Sequence, residues 1–131
     1  MMTAATALAW SAVLTLLMLM TASLLRSRAW TSDGMRIALG NREDLPPATG
    51  LAGRAERAAR NMVENMVLLV ALVAAVYFAG KSEPQAGLGA TIFFWARLAY
   101  WPCYLAGIVY LRTAIWFVGV IGLAIIAAAL I

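Results

Sequence analysis

Six polar residues crowd into the eleven positions from 54 to 64: Arg54, Glu56, Arg57, Arg60, Asn61 and Glu64. An apolar run follows them. At about 100° per residue, Arg54, Arg57, Arg60, Asn61 and Glu64 fall within roughly 120° of one another on a helix. Guanidinium groups take carboxylates by paired hydrogen bonds, so this stripe offers capture of a small anion. The same face continues as Ala71, Ala75 and Ala79. Small residues spaced by four let helices approach closely in lipid, so the face is expected to point into a bundle. A basic helix end reaching for lipid headgroups explains Arg54 equally well. It does not explain Asn61 and Glu64, which lie deeper. An acid inside a membrane span is costly unless paired.

A second set follows downstream. Arg97 sits inside an apolar segment, with Tyr100 and Tyr104 on its face at i+3 and i+7. A buried arginine calls for a carboxylate, and Glu64 is the acid within the expected spans, so the sequence predicts a Glu64–Arg97 pair between helices. A pair that only holds a bundle together is the plainer reading, and it is compatible with a site built above it. Pro102 is expected to kink its helix and open space near Tyr104. Arg112 and Thr113 begin the last apolar segment, at the same membrane face as the arginine stripe. The cavity so outlined is cationic, has phenol hydroxyls and has an apolar floor. It suits an anionic, water-soluble ligand meeting a lipophilic one. There is no histidine, which removes the usual general base and most zinc sites. The one cysteine, Cys103, forbids a disulfide within the chain and reads as a packing residue.

These residues need a frame, and composition supplies it. The chain has 131 residues, of which 64% are hydrophobic and 12% charged, with net charge +4. Mean hydropathy is +0.86. So short a soluble domain could not hide that much apolar surface. The reading is a single all-α integral membrane domain, a bundle of four transmembrane helices with approximate spans 4–25, 57–80, 86–109 and 113–131. The period-2 alternation of a barrel is missing. The first span lacks a basic residue ahead of it and is long enough to cross, so it reads as a retained helix and not a cleaved signal. Residues 26–53 form a polar loop rich in turn formers, with room for one short helix. Most arginines gather in that loop and the start of the second span, which predicts a cytoplasmic loop and termini outside, periplasmic in a bacterial inner membrane. Because the basic residues flank spans, nucleic acid is excluded as the partner.

The run Arg54-Ala55-Glu56-Arg57-Ala58-Ala59-Arg60-Asn61-Met62-Val63-Glu64-Asn65 resembles the second-helix signature of the MAPEG family, the membrane-associated proteins in eicosanoid and glutathione metabolism. Gly40-Asn41-Arg42-Glu43-Asp44-Leu45-Pro46 and the Arg97, Tyr104, Leu111-Arg112-Thr113 pattern are similar to the family too. The resemblance implies a homotrimer with glutathione, as co-substrate, bound between neighbouring subunits near the cytoplasmic face. By position it places Arg57, Arg60, Asn61 and Glu64 in the glutathione site or its supporting shell, together with Arg54, Arg97 and Tyr100. Arg26 is a weaker match to a loop-side basic contact. Tyr104 matches a ligand-contacting tyrosine, Arg112 an arginine that stabilises the thiolate, and Thr113 a position where some members carry serine. Tyr100 departs from the prostaglandin synthase branch, which has histidine there, and the turn before Arg112 is one residue shorter.

The function expected on these grounds is a membrane-bound glutathione-dependent transferase or peroxidase acting on a lipophilic electrophile. The alternative is a non-catalytic membrane scaffold or lipid-binding protein of the same fold, whose arginines meet anionic lipid. A transporter fits less well, because four helices without an inverted repeat leave a monomer little room for a path.

Overall fold

The computed structural model describes residues 1–131 and is all-helical, with five helices and no strand. Helix α1 (Ala4–Ser27) starts at Thr3, whose hydroxyl accepts from the Thr6 backbone N–H, and ends at Arg28 in the left-handed region. Its buried stripe, Ala4, Ala7, Ser11, Leu14, Met18 and Ala22, repeats every three or four residues. The short helix α2 (Ser32–Leu39) lies in the loop and is capped by the Thr31 hydroxyl. Helix α3 (Gly50–Phe78) is the longest, followed by α4 (Glu83–Leu105) and α5 (Val109–Ala128). Helix α3 thus begins at Gly50, ahead of the expected span, and the arginine stripe lies wholly on helix.

Helices α1, α3 and α5 are long and apolar enough to cross a membrane. Helix α4 carries Glu83, Gln85 and Arg97 and falls short of that apolarity. Only 30 of 131 residues are buried, and large apolar side chains such as Trp10, Leu16, Leu17, Val67, Leu68, Phe117 and Ile121 face outward. An apolar exterior of that extent belongs in lipid or against other subunits, not in water.

Helices α4 and α5 pack most closely. Gly89 and Gly122 make this possible: a Cβ on Gly89 would stand 2.5 Å from the Gly122 carbonyl oxygen, and one on Gly122 2.6 Å from that of Gly89. The α4–α5 connection, residues 106–108, falls earlier in the chain than the expected break near Tyr110. Helix α4 ends at Leu105, and Gly107 takes φ +77°, a left-handed turn that favours glycine. Pro102 sits in the final turn of α4, and Arg112 falls in the first turns of α5. Helix α1 packs on α3 and α4, and at its start the backbone N–H of Ala4 donates to Glu83 Oε1 at 2.8 Å. These contacts place the loop, the start of α3, the end of α4 and the start of α5 at one end of the molecule. The chain's first residues, Lys81, Glu83 and Ile131 lie at the other.

Candidate functional site

Around α3 the stripe divides in order of angle. Arg54 and Asn61 lie nearest α4. Arg54 Nε donates to the Leu105 carbonyl at 2.8 Å, which satisfies an acceptor left free at the end of α4. Asn61 Oδ1 accepts from Arg97 Nη1 at 2.8 Å. Farther round, Arg57, Arg60 and Glu64 are exposed, as are Val67 and Ala71 below them. The expectation that this face points into the chain's own bundle is therefore corrected. The inward face of α3 is Gly53, Ala55, Ala58, Ala59, Met62, Asn65 and Leu69, whose mostly small side chains let α1 and α4 come close.

The predicted Glu64–Arg97 pair is likewise corrected. The ion pairs present are Arg26–Glu56 and Arg60–Glu56, the latter at 3.5 Å. Glu64 is exposed, and Arg97 is 1% exposed. The cause is helical phase: Asn61 is nearer α4 than Glu64 by about 60° and reaches the guanidinium first. Asn61 is itself held, because Asn65 Nδ2 donates to the Asn61 carbonyl at 2.8 Å. The charge of Arg97 is further met by two aromatic faces, with its guanidinium carbon 5.2 Å from the ring centres of both Phe93 and Tyr100. Nε and Nη2 of Arg97 have no hydrogen-bond partner and lie toward Gly119 of α5.

The aromatic line continues outward from Tyr100. Its ring meets Tyr104 edge-on with centres 5.5 Å apart, and Arg112 lies over Tyr104 at 4.4 Å. Phe93, Arg97, Tyr100, Tyr104 and Arg112 thus form a continuous row of rings and cations, with the two tyrosines in contact between the two arginines, running from the interior to the loop-side end. Thr113 is exposed, and its hydroxyl donates to the Val109 carbonyl at 3.1 Å. Arg26 is also committed. It donates to Glu56 through Nη1 and to the Pro46 carbonyl through Nε at 2.7 Å, which ties the end of α1 and the loop to α3.

Residues 3–131, essentially the whole chain, match the MAPEG family. The chain belongs to the MAPEG family. With that membership and its apolar helices, it is an integral membrane protein. Comparison with curated proteins gives no match. Three residues of this MAPEG protein do more than the sequence suggested. Glu56 is the hub for Arg26 and Arg60, a role signalled by its i,i+4 spacing to Arg60. Asn65 steadies Asn61 from one turn away, again at i+4. Phe93 supplies one aromatic face to Arg97, four residues before it. The arrangement groups the expected residues into two sets. One is closed on the chain itself: Arg26, Arg54, Asn61, Arg97 and Tyr100. The other presents charge outward: Arg57, Arg60, Glu64 and, half-buried over its tyrosine, Arg112.

Proposed function

We propose that this MAPEG protein is a glutathione-dependent transferase or peroxidase whose second substrate is lipophilic and arrives from the bilayer. The observation that carries the reading is the Arg112–Tyr104 pair. It puts a guanidinium and a phenol hydroxyl at the loop-side end, where Arg57 and Arg60 are exposed. Glutathione brings two carboxylates, one ammonium and a thiol. Arg57 and Arg60 suit the carboxylates, and Glu64 suits the ammonium. Arg54, Asn61, Arg97 and Tyr100 hold the elements that carry these groups, and Arg26 holds the loop.

A thiol attacks only as thiolate. Arg112 favours the anion, so the bound thiol loses its proton to water at lower pH than in solution. Tyr104 is the better hydroxyl donor to that sulfur, because the Thr113 proton is already given to Val109. In transfer, the sulfur forms a bond to the electrophilic carbon while the leaving group departs with its electron pair, or the electron pair of an activated double bond moves away and is protonated. In peroxide reduction, two glutathiones give one disulfide while the peroxide becomes an alcohol and water. No protein nucleophile takes part in either course.

Four spans and a trimer complete the proposal. Helix α4 crosses beside α5, with its one internal charge, Arg97, sheltered by Asn61 and two rings. The outward Arg57–Glu64 face requires a neighbour to enclose a ligand, and a homotrimer supplies it. The arginines orient the loop to the cytoplasm. In a Cys103→Ser background, Ser82→Cys is expected to react with an impermeant thiol reagent in intact cells and Thr49→Cys to resist it; the reverse pattern overturns this orientation.

The function is tested on the purified protein by a glutathione binding curve, thiolate absorbance against pH, and turnover of a generic aromatic electrophile or a lipid hydroperoxide. Saturable binding with thiolate formed below the pH needed in solution is the expected result. Absence of binding at millimolar glutathione, together with retention on anionic lipid, favours the scaffold reading instead.

A further inference from the structure

Helix α2 touches α1 and no other helix. It leaves the end of α1 within a few residues, so it sits where a span leaves the bilayer. Its seat is tight. Gly34 is buried against the carbonyls of Ser27 and Arg28, and a Cβ there would collide with backbone. This fixes which edge of α2 faces away. Counting about 100° per residue from Gly34, Met35 and Leu39 lie together at roughly 100–140°, with Arg36 just beyond them. Met35 is 44% exposed and Leu39 81%, and Trp30 in the preceding turn is 68% exposed. Arg28 and Arg36 are exposed and form no ion pair. Asp33 is on the far polar arc.

The geometry points to α2 and Trp30 as an interfacial anchor that lies in the headgroup layer of the protein's own bilayer. Trp30, Met35 and Leu39 enter the boundary of the acyl chains, and Arg28 and Arg36 take lipid phosphates. Two observations select lipid as the occupant. The apolar edge follows within a few residues of the end of α1, a helix apolar and long enough to cross a membrane whose side chains Leu16, Leu17, Leu19, Met20 and Leu24 are exposed. The flanking charges are arginines, which complement phosphate. Tryptophan at the ends of spans has the same preference for this layer. The inference concerns a surface outside the proposed glutathione site, and it stands whether or not glutathione binds.

The test uses the full-length protein in phospholipid nanodiscs, in a Cys103→Ser background. One variant carries a fluorophore at Leu39→Cys, another at Asp33→Cys on the polar arc, an exposed position. Quenching by a phospholipid bearing a nitroxide near its glycerol end is compared with quenching by aqueous iodide. The Leu39 label is expected to be quenched by the lipid and protected from iodide, with the opposite order at Asp33. Adding Arg28→Gln or Arg36→Gln is expected to lower the lipid-to-iodide ratio at Leu39, by up to about fivefold for each arginine. Equal iodide quenching at both labels overturns the anchor. Protection from both quenchers at Leu39, lost on dissociating the subunits, overturns it in favour of a neighbouring copy. An unchanged ratio in both arginine variants overturns the phosphate contact.

Discussion

The two faces of α3 at the loop-side end share one stretch of sequence and behave in opposite ways. Inward, Arg54 and Asn61 each make a hydrogen bond of 2.8 Å to or from α4. Outward, Arg57 and Glu64 are exposed and form no ion pair, and Arg60 reaches only Glu56 on its own helix at 3.5 Å. The comparison teaches that charge at a membrane boundary is not one thing. A polar side chain whose hydrogen bonds are spent on the fold is costly to remove and unfree to bind. One facing outward costs little to remove and is available to a ligand. Substitutions on the inner face should therefore move stability, and those on the outer face should move ligand affinity.

The largest effect should come from the inner face. Asn61→Leu leaves all the N–H groups of a buried arginine to the faces of two rings. Removing the neutral partner of a buried charge costs about 2–3 kcal/mol. A lower Tm in detergent is expected, with Asn61→Asp recovering it because a carboxylate still accepts from Arg97. Wild-type melting of Asn61→Leu would erase the distinction between the faces.

Arg112 tests the boundary between the two sets, since it stacks on Tyr104 yet is half-buried rather than sealed. Arg112→Leu is expected to retain glutathione binding, to raise the pKa of the bound thiol by about one unit, and to cut turnover at neutral pH by roughly tenfold or more. The sign follows from the anion: losing a nearby cation disfavours thiolate, so the absorbance titrates at higher pH. Unchanged turnover and unchanged thiol titration in this variant would pass the role to Tyr104.

On the outer face, Arg57→Gln should raise KM for glutathione by up to about tenfold and leave kcat nearly unchanged, because a carboxylate contact is equal in ground and transition states. A fall in kcat with KM constant would show Arg57 acting on the reacting sulfur. Tm should not move.

Much of this was legible in the sequence, for identifiable reasons. Apolar length marked α1 and α5, and the turn formers of residues 26–53 announced a loop with a short helix. The i+3 and i+7 spacing put Tyr100 and Tyr104 in line with Arg97, and the structure has them so, with Arg97 against Tyr100 and Tyr100 against Tyr104. What sequence could not supply was the phase of α3 against its neighbours. Periodicity shows which residues share a face but not which face a neighbour claims. The claim is made by packing. Ala55, Ala58, Ala59 and Met62 are each 2% exposed or less, and they turn the charged arc outward. Opposite charge suggested Glu64 for Arg97, yet geometry chose Asn61. Glu56 was missed as a hub because its partner Arg26 is thirty residues away, brought near only by the fold.

The smallest expected effect is at Glu64, and it is the most discriminating. Had Glu64 paired with Arg97, Glu64→Gln would strand a buried cation and cost about 3–5 kcal/mol. Glu64 is instead exposed. Substitutions at exposed positions with no special contact usually shift stability by less than about 0.5 kcal/mol. Glu64→Gln should therefore melt with the wild type and keep the same oligomeric state, while weakening glutathione binding because the ammonium loses its carboxylate. The decisive measurement is a double-mutant cycle of Glu64→Gln with Arg97→Leu. Arg97→Leu alone is disruptive whatever its partner, so the single variants do not separate the cases; the coupling does. Independent sites add to within about 0.3–0.5 kcal/mol, whereas contacting charges couple by more. Additivity is the expected outcome. A coupling above about 1 kcal/mol would mean that Glu64 and Arg97 meet across a subunit boundary in the assembled protein, and the outer face of α3 would then be structural as well.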